Sequence, residues 1–157
     1  MHTKIQTPLG AMTLWITPTG LGGAWFDAQA HEPAPGSLGP PGEHPWLDQA
    51  QAWLQAYFAG EVREVPVPLD DVRGTPFQRE VWRLLRSLPY AQTSTYGQLA
   101  QLLGKPSASR AVGAAIGRNP LSIFVPCHRV LGARGAMTGY AGGVWRKQAL
   151  LALEART

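Results

Sequence analysis

The chain has 157 residues, 45% of them hydrophobic, with six tryptophans and a formal net charge of +4. That composition excludes a disordered chain and suffices for one good core or two small ones. A single cysteine excludes an internal disulfide and a multi-cysteine zinc site, and no apolar run approaches membrane-spanning length.

The first residues lack the apolar core of a signal peptide, so the expectation is a cytoplasmic protein without membrane association. Charge is split along the chain. Residues 1–72 carry two Lys/Arg against eight Asp/Glu, a net of −6, while residues 73–157 carry twelve against two, a net of +10. A basic half of this kind suits a polyanion, with nucleic acid the leading candidate, although a solubilising basic surface has the same composition.

In chain order, 3–7, 11–17 and 21–27 read as short strands separated by the turn signals Pro8-Leu9-Gly10 and Pro18-Thr19-Gly20. Thr13, Trp15 and Thr17 alternate with Leu14 and Ile16, which suits a half-buried antiparallel meander. Residues 30–45 are rich in Pro, Gly, Ala and His and read as a mobile loop. A helix is expected from Pro45 to 59, with Leu47, Ala50, Leu54, Tyr57 and Phe58 on one face and Gly60 as its stop. Pro66 and Pro68 limit any strand in 62–69 to a short or edge position. His2, His31 and His44 read as solvated. Residues 1–72 thus form an expected scaffold domain and 73–157 a second, mainly helical domain, giving an α+β fold.

The second domain opens with a capping box, Thr75-Pro76-Phe77-Gln78, ahead of a helix carrying Phe77, Val81, Leu84, Leu85 and Leu88. A second box, Thr95-Tyr96-Gly97-Gln98, leads a helix that Gly104 stops. Ser107 is placed to cap a third, running 108–117, and the pair has the layout of a helix-turn-helix. The third helix is unusual. Val112, Ala115 and Ile116 make a packed stripe, while Arg110, Gly113, Ala114 and Gly117 leave the other side nearly bare. Glycine inside a helix costs about 1 kcal/mol against alanine, so it implies close packing with another helix or close approach to a ligand such as a DNA minor groove. Long base-reading side chains are scarce there, which favours shape and backbone recognition over a major-groove code.

Cys127 lies in Ile123-Phe124-Val125-Pro126-Cys127-His128-Arg129-Val130. A thiol beside a base and a fixed cation can be a nucleophile, or an inert buried cysteine. Glu154 is the only carboxylate side chain after Glu80 and so the only candidate in this half to orient His128. In a regular strand Cys127 and His128 would point apart, so their cooperation needs a turn or a bridging water. A glycine-rich stretch, Thr138-Gly139-Tyr140-Ala141-Gly142-Gly143, lacks the spacing of a phosphate-cradling loop and suits the approach of a planar ligand. A last helix is expected over 145–155.

Pro126-Cys127-His128-Arg129-Val130 resembles the active-site signature of the O6-alkylguanine-DNA alkyltransferases, also called methylated-DNA–protein-cysteine methyltransferases. Gly74-Thr75-Pro76-Phe77-Gln78, Thr95-Tyr96-Gly97-Gln98-Leu99-Ala100, Ser109-Arg110-Ala111-Val112-Gly113, Asn119-Pro120 and Gly139-Tyr140-Ala141-Gly142-Gly143 with Lys147 continue the match in the family's order. The resemblance implies single-turnover repair of O6-alkylguanine, and of O4-alkylthymine, by base flipping and irreversible transfer of the alkyl group to Cys127. It implies that His128, through a water, and Glu154 deprotonate the thiol, that Asn119 braces the preceding turn, and that Tyr96 helps rotate the nucleotide and protonates the leaving base. Arg110 would fill the gap in the stack, with Ser109, Ala111, Gly113 and Ala114 against the minor groove of double-stranded DNA. Val130, Tyr140, Ala141 and Lys147 would form the base pocket. No metal or organic cofactor is implied, and a monomer is expected. The chain departs from relatives that hold a cysteine- and histidine-based zinc site, and from fused relatives with a cysteine-rich regulatory domain. It keeps the acceptor cysteine that a non-reactive branch lacks. The alternative expectation is a lesion-binding protein that flips alkylguanine and recruits another pathway; only Cys127 and its relay distinguish the two.

Overall fold

The computed structural model describes residues 1–156 as an α+β fold. It begins with β1 (His2–Thr7), β2 (Gly10–Thr17) and β3 (Gly20–Phe26), an antiparallel sheet in that order. Along β2, Met12, Leu14 and Ile16 are buried and their neighbours are not, as the pleat requires. Every residue of β3 is buried: Gly22 lies under the Trp15 ring and Gly23 under the Trp25 ring, and the strand's outer edge is occupied by the segments around Leu69 and Leu121. The segment around Leu69 forms a single parallel bridge with Leu21. On the same strand, the Ala24 N–H donates to Pro120 O at 2.8 Å and the Ser122 N–H to Ala24 O at 3.0 Å. Through these bonds the sheet carries the segment that ends at Cys127.

α1 (Pro45–Phe58) buries Leu47, Ala50, Leu54, Ala56 and Tyr57. Its N-cap is His44, whose Nδ1 accepts from the Trp46 N–H at 3.0 Å. This corrects the expectation of a solvated His44: the imidazole does the work usually done by Ser, Thr, Asp or Asn. The helix ends in a Schellman arrangement, with Gly60 at φ +85 and Glu61 N–H donating to Ala56 O at 2.9 Å.

α2 (Pro76–Arg86) and α3 (Tyr96–Leu102) both start with complete capping boxes, Thr75 with Gln78 and Thr95 with Gln98. Between them lies β4 (Ser94–Thr95), which pairs in parallel with β5 (Val130–Leu131). Gly104, at φ +72, ends α3. α4 (Ser109–Gly117) follows, with Ala108 at the N-cap position and no side-chain cap bond. Ser107 therefore does not cap it; Ala108 N–H closes a turn onto Lys105 O at 2.9 Å and moves the helix start one residue on. α5 (Val144–Arg156) is the last described element.

One buried cluster joins both halves, from Met12, Phe26 and Leu54 to Leu85, Val112, Leu121 and Leu150. Each fully buried Leu, Phe or Met in it contributes about 1.5–3 kcal/mol. Among the described residues no helix is long and apolar enough to cross a membrane.

Candidate active site

Residues 121–130 are all buried. Three local devices fold them back on themselves. Ile123 sits at φ +74, an uncommon conformation for a β-branched residue, inside a turn closed by Val125 N–H to Leu121 O at 2.9 Å. Pro126, at φ −80 and ψ 64, is the centre of an inverse γ-turn, with Cys127 N–H donating to Val125 O at 2.8 Å. A single 3-10 turn, Cys127–Arg129, follows at once. The backbone therefore leaves strand geometry at Cys127, and the opposite-face problem between Cys127 and His128 does not arise.

Asn119 holds this turn from the end of α4. Its Oδ1 accepts from Leu121 N–H at 3.0 Å, and its Nδ2 donates to Val125 O at 3.0 Å and to Cys127 Sγ at 3.2 Å. Burial pushes the Cys127 thiol up; the Asn119 hydrogen bond and the Lys147 charge oppose that without reversing it. Asn119→Ala is expected to cost about 1–3 kcal/mol for each buried backbone group it orphans, measured by urea unfolding. It is also expected to raise the thiol pKa further, read from the pH dependence of reaction with a disulfide reagent.

His128 is fully buried. Its Nε2 donates to Glu154 Oε2 at 2.6 Å, and its Nδ1 has no hydrogen-bond partner among the described residues. Burial lowers the histidine's basicity, and the Glu154 hydrogen bond and charge partly restore it. The ring is thus a neutral base with one open lone pair, beside the thiol in sequence. Glu154, 1% exposed, accepts from more than His128. Arg129 Nε reaches Oε1 at 2.8 Å and Nη2 reaches Oε2 at 3.1 Å; Ala91 N–H reaches Oε1 at 3.1 Å. The Tyr57 hydroxyl donates to Oε2 at 2.6 Å. Burial alone would raise this carboxyl, but the hydrogen bonds from His128 and Arg129 dominate and hold it well below the usual carboxylate range.

Cys127 opens onto a cavity of about 330 Å³ lined by Tyr96, Gly113, Gly117, Tyr140, Ala141 and His31, among others. The β4–β5 pair brings Tyr96 to it, since Ser94 lies opposite Val130. Tyr96 Oη accepts from Thr138 Oγ1 at 3.0 Å, which leaves its own proton free. The Tyr140 hydroxyl is buried near Cys127 and Ser122 but meets hydrogen-bond geometry with neither; burial and the nearby thiol raise its pKa. Val130 and Lys147 stand behind the cavity wall rather than in it. Lys147 Nζ donates to Val130 O at 2.5 Å and Thr138 O at 3.2 Å.

α4 runs beside the cavity mouth. Val112, Ala115 and Ile116 are buried, Arg110, Ala111 and Ala114 are exposed, and Ser109, Gly113 and Gly117 are intermediate. A Cβ on Gly117 would meet nothing within 4 Å, and one on Gly113 only the Tyr96 ring at 3.7 Å. Among the described residues only the Tyr96 ring, from the start of α3, comes near this face, so close helix packing does not explain the bareness around Gly117. Arg110 projects from it outside the cavity, as does exposed Arg118 at its end.

Two participants escape sequence reading. Tyr57 lies 97 residues from Glu154 and looks like one more core aromatic of α1. His31, expected to be solvated, is exposed yet forms part of the cavity rim, where Ala30 N–H donates to Ala141 O at 3.0 Å. No local signal marks either one; both depend on the two halves docking.

The family model described as "6-O-methylguanine DNA methyltransferase, DNA binding domain" matches residues 76–156. The methylated-DNA–protein-cysteine methyltransferase of Mycolicibacterium paratuberculosis is 44% identical over 161 residues, covering 99% of this chain and 92% of the relative. The Mycobacterium tuberculosis protein of the same name is 47% identical over 154 residues, covering 98% and 91%. The crystal structure of Mycobacterium tuberculosis OGT in complex with DNA superposes with a TM-score of 0.89 at 42% identity, covering 99% of this chain and 92% of that one. With its whole length aligned and its C-terminal half matched by the family model, the chain belongs to the methylated-DNA–protein-cysteine methyltransferase family.

Proposed function

We propose that this protein repairs O6-alkylguanine, and O4-alkylthymine, in double-stranded DNA by moving the alkyl group onto Cys127, once per molecule. The observation that carries the reading is a buried thiol opening onto a base-sized cavity, next to a histidine whose other ring nitrogen is held by a buried carboxylate. Residues 1–72 act as the scaffold and 73–157 as the DNA-binding and acceptor domain, working as a cytoplasmic monomer without a cofactor.

The O6 position lies inside the base stack, so the nucleotide must leave it to reach Sγ. The bare face of α4, with Ser109, Ala111, Gly113 and Ala114, approaches the minor groove closely, and Arg110 takes the place of the extruded nucleotide. Tyr96 helps turn the nucleotide into the cavity, where Tyr140 and Ala141 form walls and Val130 and Lys147 support them. The thiol proton passes through a water to the open Nδ1 of His128, whose Nε2–H stays on Glu154. The thiolate attacks the alkyl carbon; the S–C bond forms as the C–O6 bond breaks, and the electron pair leaves on the guanine. The free proton of Tyr96 meets that charge. The product thioether has no route to hydrolysis, so the protein acts once.

Arg110→Ala is expected to slow transfer from duplex DNA by about 10²-fold, the loss of a few kcal/mol of support for the flipped state. Reaction with free O6-benzylguanine should be spared. Equal losses on both substrates would remove Arg110 from the flipping step. Tight lesion binding with no protein adduct would instead favour a binding protein that recruits another pathway.

A further inference from the structure

We propose that Tyr57, contributed by the scaffold half, is a positioning residue of the acceptor relay that fixes the carboxylate of Glu154 and, through it, the tautomer of His128. The inference rests on the reading of Cys127 as alkyl acceptor.

Tyr57 sits in the last turn of α1, where its carbonyl accepts from Gly60 N–H at 3.0 Å in the Schellman end. Its ring is stacked on Trp53 at 5.6 Å and packed edge-on against Tyr90 at 6.2 Å and His128 at 6.5 Å. Only 2% of the residue is exposed, so the hydroxyl must find its partner inside the protein. Two polar atoms are within range. Glu154 Oε2 is at 2.6 Å and His128 Nε2 at 3.5 Å. The shorter contact takes the proton, so Tyr57 and His128 donate to the same oxygen and the 3.5 Å separates two donors sharing it.

That arrangement decides which nitrogen of His128 carries hydrogen. If Nε2 were bare, the Tyr57 hydroxyl could donate to it, and Glu154 Oε2 would lose two donors. With Tyr57 on the carboxylate, Nε2 keeps its hydrogen and Nδ1 keeps the lone pair that the thiol proton needs. The phenol also spreads the Glu154 charge over another donor. The groups facing His128 are Tyr57 from α1, Glu154 and Lys147 from α5, and Arg129 from its own turn, with Tyr90 beyond Tyr57; Glu154 raises its basicity while burial, Arg129 and Lys147 lower it. Loss of the phenol concentrates the carboxylate charge on the His128 N–H and makes the ring more basic.

Tyr57→Phe keeps the ring packing and deletes only the hydroxyl. Single-turnover transfer from O6-methylguanine duplex should slow by about tenfold, part of the general-base contribution, and its acid limb should move to higher pH. The same upward move should appear in the His128 titration followed by ¹⁵N-histidine NMR on unreacted protein. Wild-type spectra at neutral pH should show hydrogen on Nε2 and none on Nδ1, a measurement that needs neither a variant nor alkyl transfer. Hydrogen on Nδ1 overturns the proposal. So does a variant with wild-type rate, or one that is slower with an unmoved acid limb, which is the behaviour of loosened packing. Wild-type protein that forms no adduct would sink the acceptor reading, and the tautomer would still judge Tyr57.

Discussion

Cys127→Ser abolishes alkyl transfer while leaving the fold and the affinity for alkylated duplex intact: this is the expected result of intact mass spectrometry beside a DNA-binding titration. The wild-type protein should gain one alkyl group per molecule after incubation with an O6-methylguanine oligonucleotide, located on the Cys127 peptide. The serine hydroxyl can still accept from Asn119 Nδ2 and fills almost the same space, so the turn through Pro126 should persist. What serine lacks is an ionisable group within reach of a neutral imidazole; a thiol near pKa 8.5 is a weak acid, and an aliphatic alcohol is far weaker. Burial has raised even the Cys127 thiol, so in the proposed mechanism its ionisation depends on the His128–Glu154 relay rather than on solvent pH alone. An alkyl group found elsewhere, or more than one per molecule, would remove Cys127 as the acceptor.

The largest stability loss is expected from Glu154→Gln. Glu154 receives hydrogen bonds from Tyr57, Ala91, His128 and Arg129. Glutamine keeps one acceptor oxygen, turns the other position into a donor, and leaves the Arg129 charge buried without its counter-charge. Breaking a buried ion pair from one side costs about 3–5 kcal/mol, measurable as a lower urea midpoint at neutral pH. The pH dependence gives the sign. The folded carboxyl lies well below its unfolded value of about 4.3, so its stabilisation is complete above that value and is lost as pH falls toward the folded one. His128 acts in the same direction: its folded pKa lies below the unfolded value of about 6.5, so stability declines as pH falls through that value. Wild-type protein should therefore lose stability steeply in acid, and the gap to Glu154→Gln should narrow below pH about 4. A constant gap across that range would separate the stabilisation from the carboxylate charge.

Features carried by short stretches of sequence were legible. Both capping boxes were read from Thr75 with Gln78 and Thr95 with Gln98, because a cap depends on residues three apart. The alternation of β2 and the glycine stops at Gly60 and Gly104 were legible for the same reason. Ser107 misled because residue type favours it as a cap, whereas the turn at Lys105 decides where the helix starts. The turn around Cys127 was legible in its residues but not in its shape. Proline restricts its predecessor, yet the bend at Pro126 also needs the Ile123 conformation and the Asn119 brackets, both set by the segment lying against β3. β4 and β5 are too short to show any period, and their pairing joins parts of the chain far apart in sequence. Glu154 stood out as the only carboxylate side chain after Glu80, whereas Tyr57 was indistinguishable from the core aromatics around it.

Cys127 is 5% exposed, and burial pushes its thiol toward the protonated form. A molecule that reacts only once has a shelf life set by whatever spends its sulfur first. Oxidants and small electrophiles consume thiolates far faster than thiols, and only those that can enter the cavity reach this one. The same burial that makes the group reluctant to ionise therefore keeps it unspent between encounters, and the resting protein is a stored reagent. On the proposed reaction its working stock is the number of molecules whose sulfur is still bare, which is smaller than the amount of protein present after any exposure to alkylated DNA.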